Sequence, residues 1–569
     1  MPRLPPGRNG RRDEICLSHG PRRAFAPARP PGTLHPPTRA PGGLAGAALM
    51  ARIRLVAGFL TVGMWTLLSR VFGFVRDVMM AAYLGAGPVT DAFFVAFSLP
   101  NMFRRFFAEG AFNFAFVPLF AKKHEAGEDA ESFARDAFWG MAALLLVFST
   151  LAVIAMPFLV WGMAAGFAQD ERFDMAVVFG RVAFPYIFFI SLVALLSGML
   201  NAVGRFTAAA AAPVLLNVVF VAAMVLADRA GWPMGLTLSY AVPVAGVAQL
   251  IMLWIAVKRA GFTMRFRRPR LTPELKRLAI IAAPAVLAGG VVQINLIVGR
   301  QVASFTENAV SWLSYADRLY QLPLGVVGIA VGVVLLPELS RRLRAGDAGA
   351  GQHSFNRGLE FSLFLTLPCA VALVVVPTPI VSVLFGRGAW TEIDTQSTAL
   401  ALAIYALGLP AFVLHKVLQP LYYARHDTKR PFKYALNSMI VNAAVAIGLM
   451  SSLGFVAAAL ATTFAGWVMV WQLWRGSRDM GQAAQLDAQM IRRMWRIVVA
   501  SAVMGGALYG LNLGLTEYLS QSGTRYLALL ALLLGGAAVY LGLGQVIGAF
   551  SLGELRAAVS RSRTPETGA

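Results

Sequence analysis

The chain has 569 residues, of which 57% are hydrophobic and 14% charged, and its mean hydropathy is +0.64. Soluble domains average about 45–50% apolar and about 25% charged residues, so a multidomain soluble enzyme is excluded: too few charges remain to coat its surfaces. Fifty Lys and Arg against 28 Asp and Glu give +22, which in a soluble chain points to nucleic acid but in a membrane chain records orientation, because cytoplasmic loops collect Lys and Arg. The composition therefore predicts an all-α polytopic membrane protein without a nucleic-acid partner. Cys16 and Cys369 form no disulfide framework and no CxxC or Cys/His spacing, so no metal is assigned.

Residues 1–49 hold ten prolines and eight arginines with no periodic apolar run, which predicts a disordered extension. They contain no apolar stretch of the length a secretory signal needs. Met50, followed by Ala51, Arg52 and Arg54, reads as an ordinary start ahead of a first membrane helix, which makes the extension a dispensable tail or the product of an upstream start.

Apolar runs of about 20 residues can cross a bilayer as helices. Fourteen such runs are present, at about 55–85, 88–121, 133–161, 175–203, 208–227, 235–257, 276–304, 311–339, 357–384, 395–423, 432–450, 453–474, 494–514 and 525–548. The loops between them alternate in charge. One side carries 27 Lys and Arg, eight of them in the stretch from Lys258 to Arg277, and the other offers Arg172, Arg229, Arg387 and Arg525. With an even number of spans, that asymmetry predicts that both termini are cytoplasmic.

Spans two and eight share a pattern. Leu99 and Pro100 precede Pro118, with Lys122 and Lys123 beyond it, and Leu322 and Pro323 precede Pro337, with Arg341 and Arg342 at the same offsets. Asp91 and Asp317 open the two spans. Duplicated halves are a transporter signature, and an offset of six spans makes the copies parallel. The predicted organisation is an N-lobe at 50–260 (spans 1–6), a C-lobe at 261–476 (spans 7–12), and spans 13 and 14 with a tail at 477–569.

A charge at mid-bilayer costs at least about 2.5–3.5 kcal/mol, so those present tend to line a cavity or pair. Span one carries Arg70, Arg76 and Asp77; span two carries Asp91, Arg104, Arg105 and Glu109; span eight carries Asp317 and Arg318. Asp77 lies near the helix face of Arg70, with Arg76 turned about 120° away, and Arg105 and Glu109 can pair at i and i+4. Arg181 and Arg300 stand toward the ends of their spans and are expected to reach back to the interface. The other cations outnumber their acids and imply a missing anion. Arginine matches the bidentate geometry of phosphate, so a central cavity for a phosphate-bearing substrate is predicted, with bends at Gly73, Pro100 and Gly110 shaping it. Catalytic signals are thin. His415 and Lys416 are adjacent and point about 100° apart on a helix, which makes His415 a satisfied polar group, and the glycines at Gly85 and Gly87 form a turn. No enzymatic activity and no cofactor are predicted.

At SRVFGFVRD (Ser69 to Asp77), TDAFFVAFSLPNMFRRFFAEGAFNFAFVPLF (Thr90 to Phe120) and SWLSYADRLYQLPLGVVGIAVGVVLLPELS (Ser311 to Ser340) the sequence resembles the MviN/MurJ family of lipid II flippases. The resemblance runs from about Met50 to the C-terminus. It implies passage of an undecaprenyl-pyrophosphate-linked peptidoglycan precursor, lipid II, from the cytoplasmic to the periplasmic leaflet of the inner membrane. It also implies a membrane-lipid environment and cell-wall synthesis machinery as a partner. The family's essential cavity arginines carry over onto Arg70, Arg76, Arg104 and Arg318, and its supporting positions onto Asp77, Asp91, Arg105, Glu109 and Ser311. Asp317, beside Arg318, joins the supporting set from its place in span eight. Residues 1–49 have no counterpart, Arg300 stands where the resemblance calls for no arginine, and the ligands of a sodium site known in some members are not matched. The implied energy source is the membrane potential or a monovalent cation. Other readings are a flippase for a different polyprenyl-pyrophosphate oligosaccharide, a drug/cation antiporter, which would want an acidic and aromatic cavity, and a membrane enzyme of lipid-linked sugar metabolism.

Overall fold

Prolines and capping side chains divide this apolar chain into helices. The computed structural model describes residues 42–105, 111–270, 272–330 and 336–550, so Glu109, Gly110, residues 1–41 and the tail cations Arg556, Arg561 and Arg563 lie outside the described residues. The chain separates into units Met1–Val56 and Ala57–Ala569; the packing below concerns the second. The helices are α1 (Gly42–Leu84), α2 (Pro88–Arg104), α3 (Ala111–Glu125), α4 (Ala130–Ile154), α5 (Met156–Met163), α6 (Arg172–Ala183), α7 (Tyr186–Ala202), α8 (Thr207–Ala230), α9 (Met234–Arg259) and α10 (Pro273–Ser304). They continue with α11 (Ala309–Ala330), α12 (Leu336–Arg344), α13 (Ala348–Val375), α14 (Pro377–Phe385), α15 (Glu392–Tyr423), α16 (Lys429–Leu453), α17 (Val456–Ser477), α18 (Ala488–Ser520) and α19 (Arg525–Val546). The described residues contain no strand. Among the described residues, ten helical segments are long and apolar enough to cross a membrane, a number compatible with the fourteen spans read from the sequence.

Local chemistry sets the helix ends. Asp129, Asp347 and Asp487 each accept from a backbone N–H three residues on, and Thr391 and Asp394 cap α15 reciprocally. Pro157 starts α5 and Pro377 starts α14, where a missing N–H costs nothing, so spans three and nine each become a long helix followed by a short one. This common break adds a second likeness between the two halves.

Two sequence expectations are corrected. Helix α1 begins at Gly42, so residues 42–49 of the expected disordered extension are helical. The expected bends at Gly73 and Pro100 do not break their helices: α1 continues through Gly73 and α2 through Pro100. At Gly73, α1 lies beside Asn217, whose Nδ2 would stand in ordinary contact, 3.5 Å, with a Cβ there.

Helix α2 packs against α6, α7 and α9, and α9 against α8. Helix α15 packs against α11, α13 and α17, and α17 against α16. Helix α10 touches both sets, meeting α3, α4 and α5 on one side and α16 and α17 on the other. Helix α18 lies on α13, and α19 on α18 and α14. Tyr540 of α19 donates to the Phe364 carbonyl of α13 at 2.8 Å. Glu360 of α13 accepts from Arg493 of α18 at 3.0 Å and from Arg357 at 2.6 Å, while Arg357 also binds Asp487 at 2.8 Å. Buried polar ties thus fasten the last two helices to α13. The segment between α9 and α10 is held along α4: Thr263 donates to Glu131 at 2.6 Å, Trp139 to the Arg265 carbonyl at 3.0 Å, and Arg267 pairs with Asp136 at 3.0 Å.

Candidate functional site

Arg76 and Asp77, neighbours on α1, are both buried. Arg76 donates through Nε and Nη2 to Asp77 Oδ1 at 3.0 and 2.7 Å, and through Nη1 to Asn217 Oδ1 on α8 at 3.0 Å. Asn217 in turn donates to the Ser69 carbonyl at 3.1 Å, and the guanidinium sits 5.5 Å from the centre of the Phe220 ring. A cation pointing away from Asp77 by helical angle still reaches it, because the arginine side chain is long enough to fold back along the helix. Asn217 was not singled out in the sequence; a lone carboxamide in the apolar run from Thr207 to Ala230 was the available signal.

The second oxygen of Asp77 faces α11, where Arg318 Nε lies 3.4 Å from Oδ2. Seven residues further along α11, a Cβ on Gly325 would stand 2.5 Å from Nη1 of Arg70, which lies seven residues back along α1. The two helices therefore run antiparallel in register and approach each other through arginine side chains. Arg70, Arg105 and Arg318 are exposed, and Arg104 is half-buried. The structure thus brings Arg70, Arg76, Asp77 and Arg318 together. The expected Arg105–Glu109 pair falls outside the described residues at Glu109. Asp317 accepts from Gln321 and lies within electrostatic reach of Arg318, Arg300 and Arg105.

Arg300 corrects a further expectation. It does not reach back to the interface; its Nη1 donates to the Phe94 carbonyl at 2.9 Å and to the Ser98 hydroxyl, crossing from α10 to α2. Arg181 is exposed, in keeping with an interfacial reach. His415, expected to be satisfied, buries an Nδ1 without a hydrogen-bond partner among the described residues. Lys416 lies eleven residues from Tyr405 on α15, about 20° off the same face, and that face meets α11 through the Tyr320–Tyr405 ring contact at 5.1 Å.

Asp91 and Ser311 form a separate cluster. Asp91 Oδ1 accepts from the Ser311 hydroxyl at 2.6 Å and backbone N–H at 2.8 Å, and Oδ2 pairs with Arg172 at 3.2 Å. Arg172, read from the sequence as a loop charge, is 4% exposed. It binds Asp170 at 2.6 Å, donates to the carbonyls of Ser304 and Thr306 at 3.3 and 3.4 Å, and lies 4.3 Å from the Phe167 ring centre. The hydrogen bond from Arg172 holds the Asp170 carboxyl below its usual range. The neighbouring Asp170 was the overlooked sign that Arg172 is more than a topology marker. At the same end, Ala389 N–H donates to the Ala82 carbonyl at 2.8 Å. Gly85 and Gly388 have φ of +64° and +62°, and a Cβ on either would collide with the opposing backbone. This end, which carries few charges, is sewn together across segments far apart in sequence. The chemistry is that of a binding surface: fixed cations, acids that orient them, and among the described residues no group of three or more His, Cys, Asp or Glu side chains able to hold a metal.

Comparison with known proteins gives a consistent result. A family model described as Lipid II flippase MurJ matches residues 80–528. A probable lipid II flippase MurJ of Rhizobium meliloti (strain 1021) is 47% identical over 522 residues, covering 89% of this chain and 96% of the relative. A lipid II flippase MurJ of Burkholderia cenocepacia is 35% identical, covering 87% and 98%. A solved structure described as lipid II flippase MurJ in an inward closed conformation superposes with a TM-score of 0.71 at 26% identity, covering 86% of this chain and 98% of the other. An inward-facing multidrug transporter of the MATE family shares the fold, with a TM-score of 0.59 at 14% identity.

Proposed function

This chain belongs to the lipid II flippase MurJ family, and on that premise we propose that it carries lipid II across the inner membrane by alternating access, using the arginines between α1, α2 and α11 to hold the diphosphate. The single observation that carries the site assignment is the Asp77–Arg318 ion pair, which sets the arginines of the first span against Arg318 of the eighth.

The 27-to-4 split of loop cations supports an orientation with both termini and the basic ends in the cytoplasm. The sewn end with Asp91, Arg172 and Ser311 is then periplasmic, and the arginines are reached from the cytoplasmic leaflet. A diphosphate entering there exchanges hydration for guanidinium forks, which are fixed in place before it arrives. Arg318, Arg70 and Arg105 are exposed and accessible to it. Arg76 is held by Asp77 and Asn217 and acts first by orienting Asp77, which in turn holds Arg318. Two rigid lobes, at 50–260 and 261–476, rock against each other when the Asp91 cluster parts and the head group gains the periplasm.

The polyprenyl tail stays in lipid, where apolar area belongs; helices α18 and α19, fastened to α13 and displaying Leu513, Leu527 and Leu534 outward, supply a groove for it. No cofactor takes part. The membrane potential, worth about 2.3 kcal/mol per charge per 100 mV, or a monovalent cation biases the cycle. Cell-wall synthesis enzymes receive the product. Among alternatives, the excess of arginine over acid disfavours a drug/cation antiporter, which would select cations.

The assignment is tested by Arg318→Ala and Arg104→Ala in cells lacking the native gene, with membrane insertion verified. Loss of growth by both supports it, and full complementation by both contradicts it.

A further inference from the structure

Arg300 is a cation within a membrane span that neither the family resemblance nor the mechanism above uses. It projects from α10 and is only partly exposed. Its described hydrogen bonds run from one nitrogen, Nη1, to the Phe94 carbonyl and the Ser98 hydroxyl of α2. Both acceptors are neutral, so they orient the guanidinium without cancelling its charge. Nε and Nη2 make no hydrogen bond to the described residues, and neither is a buried orphan.

The charges within electrostatic reach of Arg300 are Asp317, Arg318 and Arg105. Among the described residues Asp317 is the carboxylate that all three cations reach, and it also accepts from Gln321. Even with Glu109 set against Arg105, Arg300 and Arg318 are left to Asp317, and Arg318 divides its attention with Asp77. An uncompensated cation inside a membrane protein is costly unless an anion visits. A guanidinium pinned at one nitrogen keeps an edge aligned for a bidentate oxyanion and pays little ordering entropy on binding.

We infer that Arg300 is a further substrate-contacting residue of this cavity, taking one phosphate of a polyprenyl diphosphate while Arg318 and Arg105 take the other. The inference rests on the proposed diphosphate site and adds to it a contact from α10 that a monophosphate would not need. Arg300 then determines preference for diphosphate over monophosphate.

The test measures binding of undecaprenyl pyrophosphate and undecaprenyl phosphate to the full chain in nanodiscs, for the wild type, Arg300→Gln, Arg300→Lys and Ser98→Ala. Arg300→Gln is expected to weaken pyrophosphate binding about tenfold or more and monophosphate binding by less than threefold. Ser98→Ala, which removes one tether and keeps the charge, is expected to change pyrophosphate binding by less than threefold. Equal losses for both ligands, or unchanged pyrophosphate binding in Arg300→Gln, would show that Arg300 only ties α10 to α2 and would overturn the inference while leaving the diphosphate site standing. Should Arg300→Gln fail to fold, Arg300→Lys decides: it keeps the cation and loses the fork, so the preference for pyrophosphate falls if the inference holds and is unchanged if it does not. A wild type that binds neither ligand contradicts the site itself, and the inference with it.

Discussion

Asp91 accepts two hydrogen bonds from Ser311, at 2.6 Å from the hydroxyl and 2.8 Å from the backbone N–H, across 220 residues of sequence. Both residues are fully buried, so the bond pair and the adjoining Arg172 close one end of the molecule with no water to replace them. Removing the carboxylate leaves Asp170 as the one acid paired with Arg172 among the described residues, and two Ser311 donors unsatisfied. Asp91→Ala is expected to destabilise this end by about 3–5 kcal/mol, and Ser311→Ala by about 1.5–3 kcal/mol. A cysteine replacing the buried Ala303 reports it: labelling by an impermeant maleimide rises at least tenfold in the Asp91→Ala background and less in Ser311→Ala.

Gly388 meets Ala82 backbone to backbone with a positive φ. Gly388→Ala imposes both a left-handed strain of about 1–2 kcal/mol and a collision that neither backbone can relieve by rotation. The expected result is a protein that inserts normally but leaves the α1 end labelled more rapidly than in the wild type, measured with a cysteine at Ala86. Gly127→Ala, also at positive φ but with open space around it, is the control and shows no such change.

Asp170 supplies a pH dependence. Its carboxyl is lowered mainly by the hydrogen bond from Arg172, so its contribution to stability is fully present above the unfolded value of about 3.9 and is lost as pH falls through the lower folded value. Thermal stability of wild type minus that of Asp170→Asn is expected to be constant above about pH 5 and to shrink progressively below about pH 4. A difference that instead grows on acidification contradicts the pairing.

Glu360 joins Arg357 and Arg493 between α13 and α18 and is 7% exposed. Glu360→Ala leaves two guanidiniums facing each other, with an expected cost of about 3 kcal/mol and freer cleavage by protease before α18. Glu360→Gln keeps an acceptor and is expected to lose less.

The sequence made the helical spans, the loop charge asymmetry and the arginines of spans one, two and eight legible, because charge inside an apolar run is conspicuous at one-dimensional resolution. It did not separate the two clusters to which those residues belong. Asp91 and Ser311 sit with Arg172 at a closed end, while Asp77 sits with Arg76 and Arg318. A pairing across 220 residues leaves no periodic mark in either segment. Arg172 was hidden because a loop position and a buried turn look alike until the opposing carbonyls of Ser304 and Thr306 are known. Arg300 was misread for a related reason: position along a span says how near the interface a side chain lies, and nothing about the neighbouring helix that accepts its hydrogen bonds. Gly73 and Pro100 do not interrupt α1 and α2, because a helix tolerates a single glycine or proline where neighbouring helices pack against it.

The most direct test of the account is lipid II exposure in the outer leaflet of cells depleted of this protein and supplied with either the wild-type chain or Arg318→Ala, in a strain with no other flippase. The account predicts that lipid II becomes exposed with the wild-type chain and accumulates unexposed on the cytoplasmic side both on depletion and with Arg318→Ala. Undiminished exposure after depletion would contradict it.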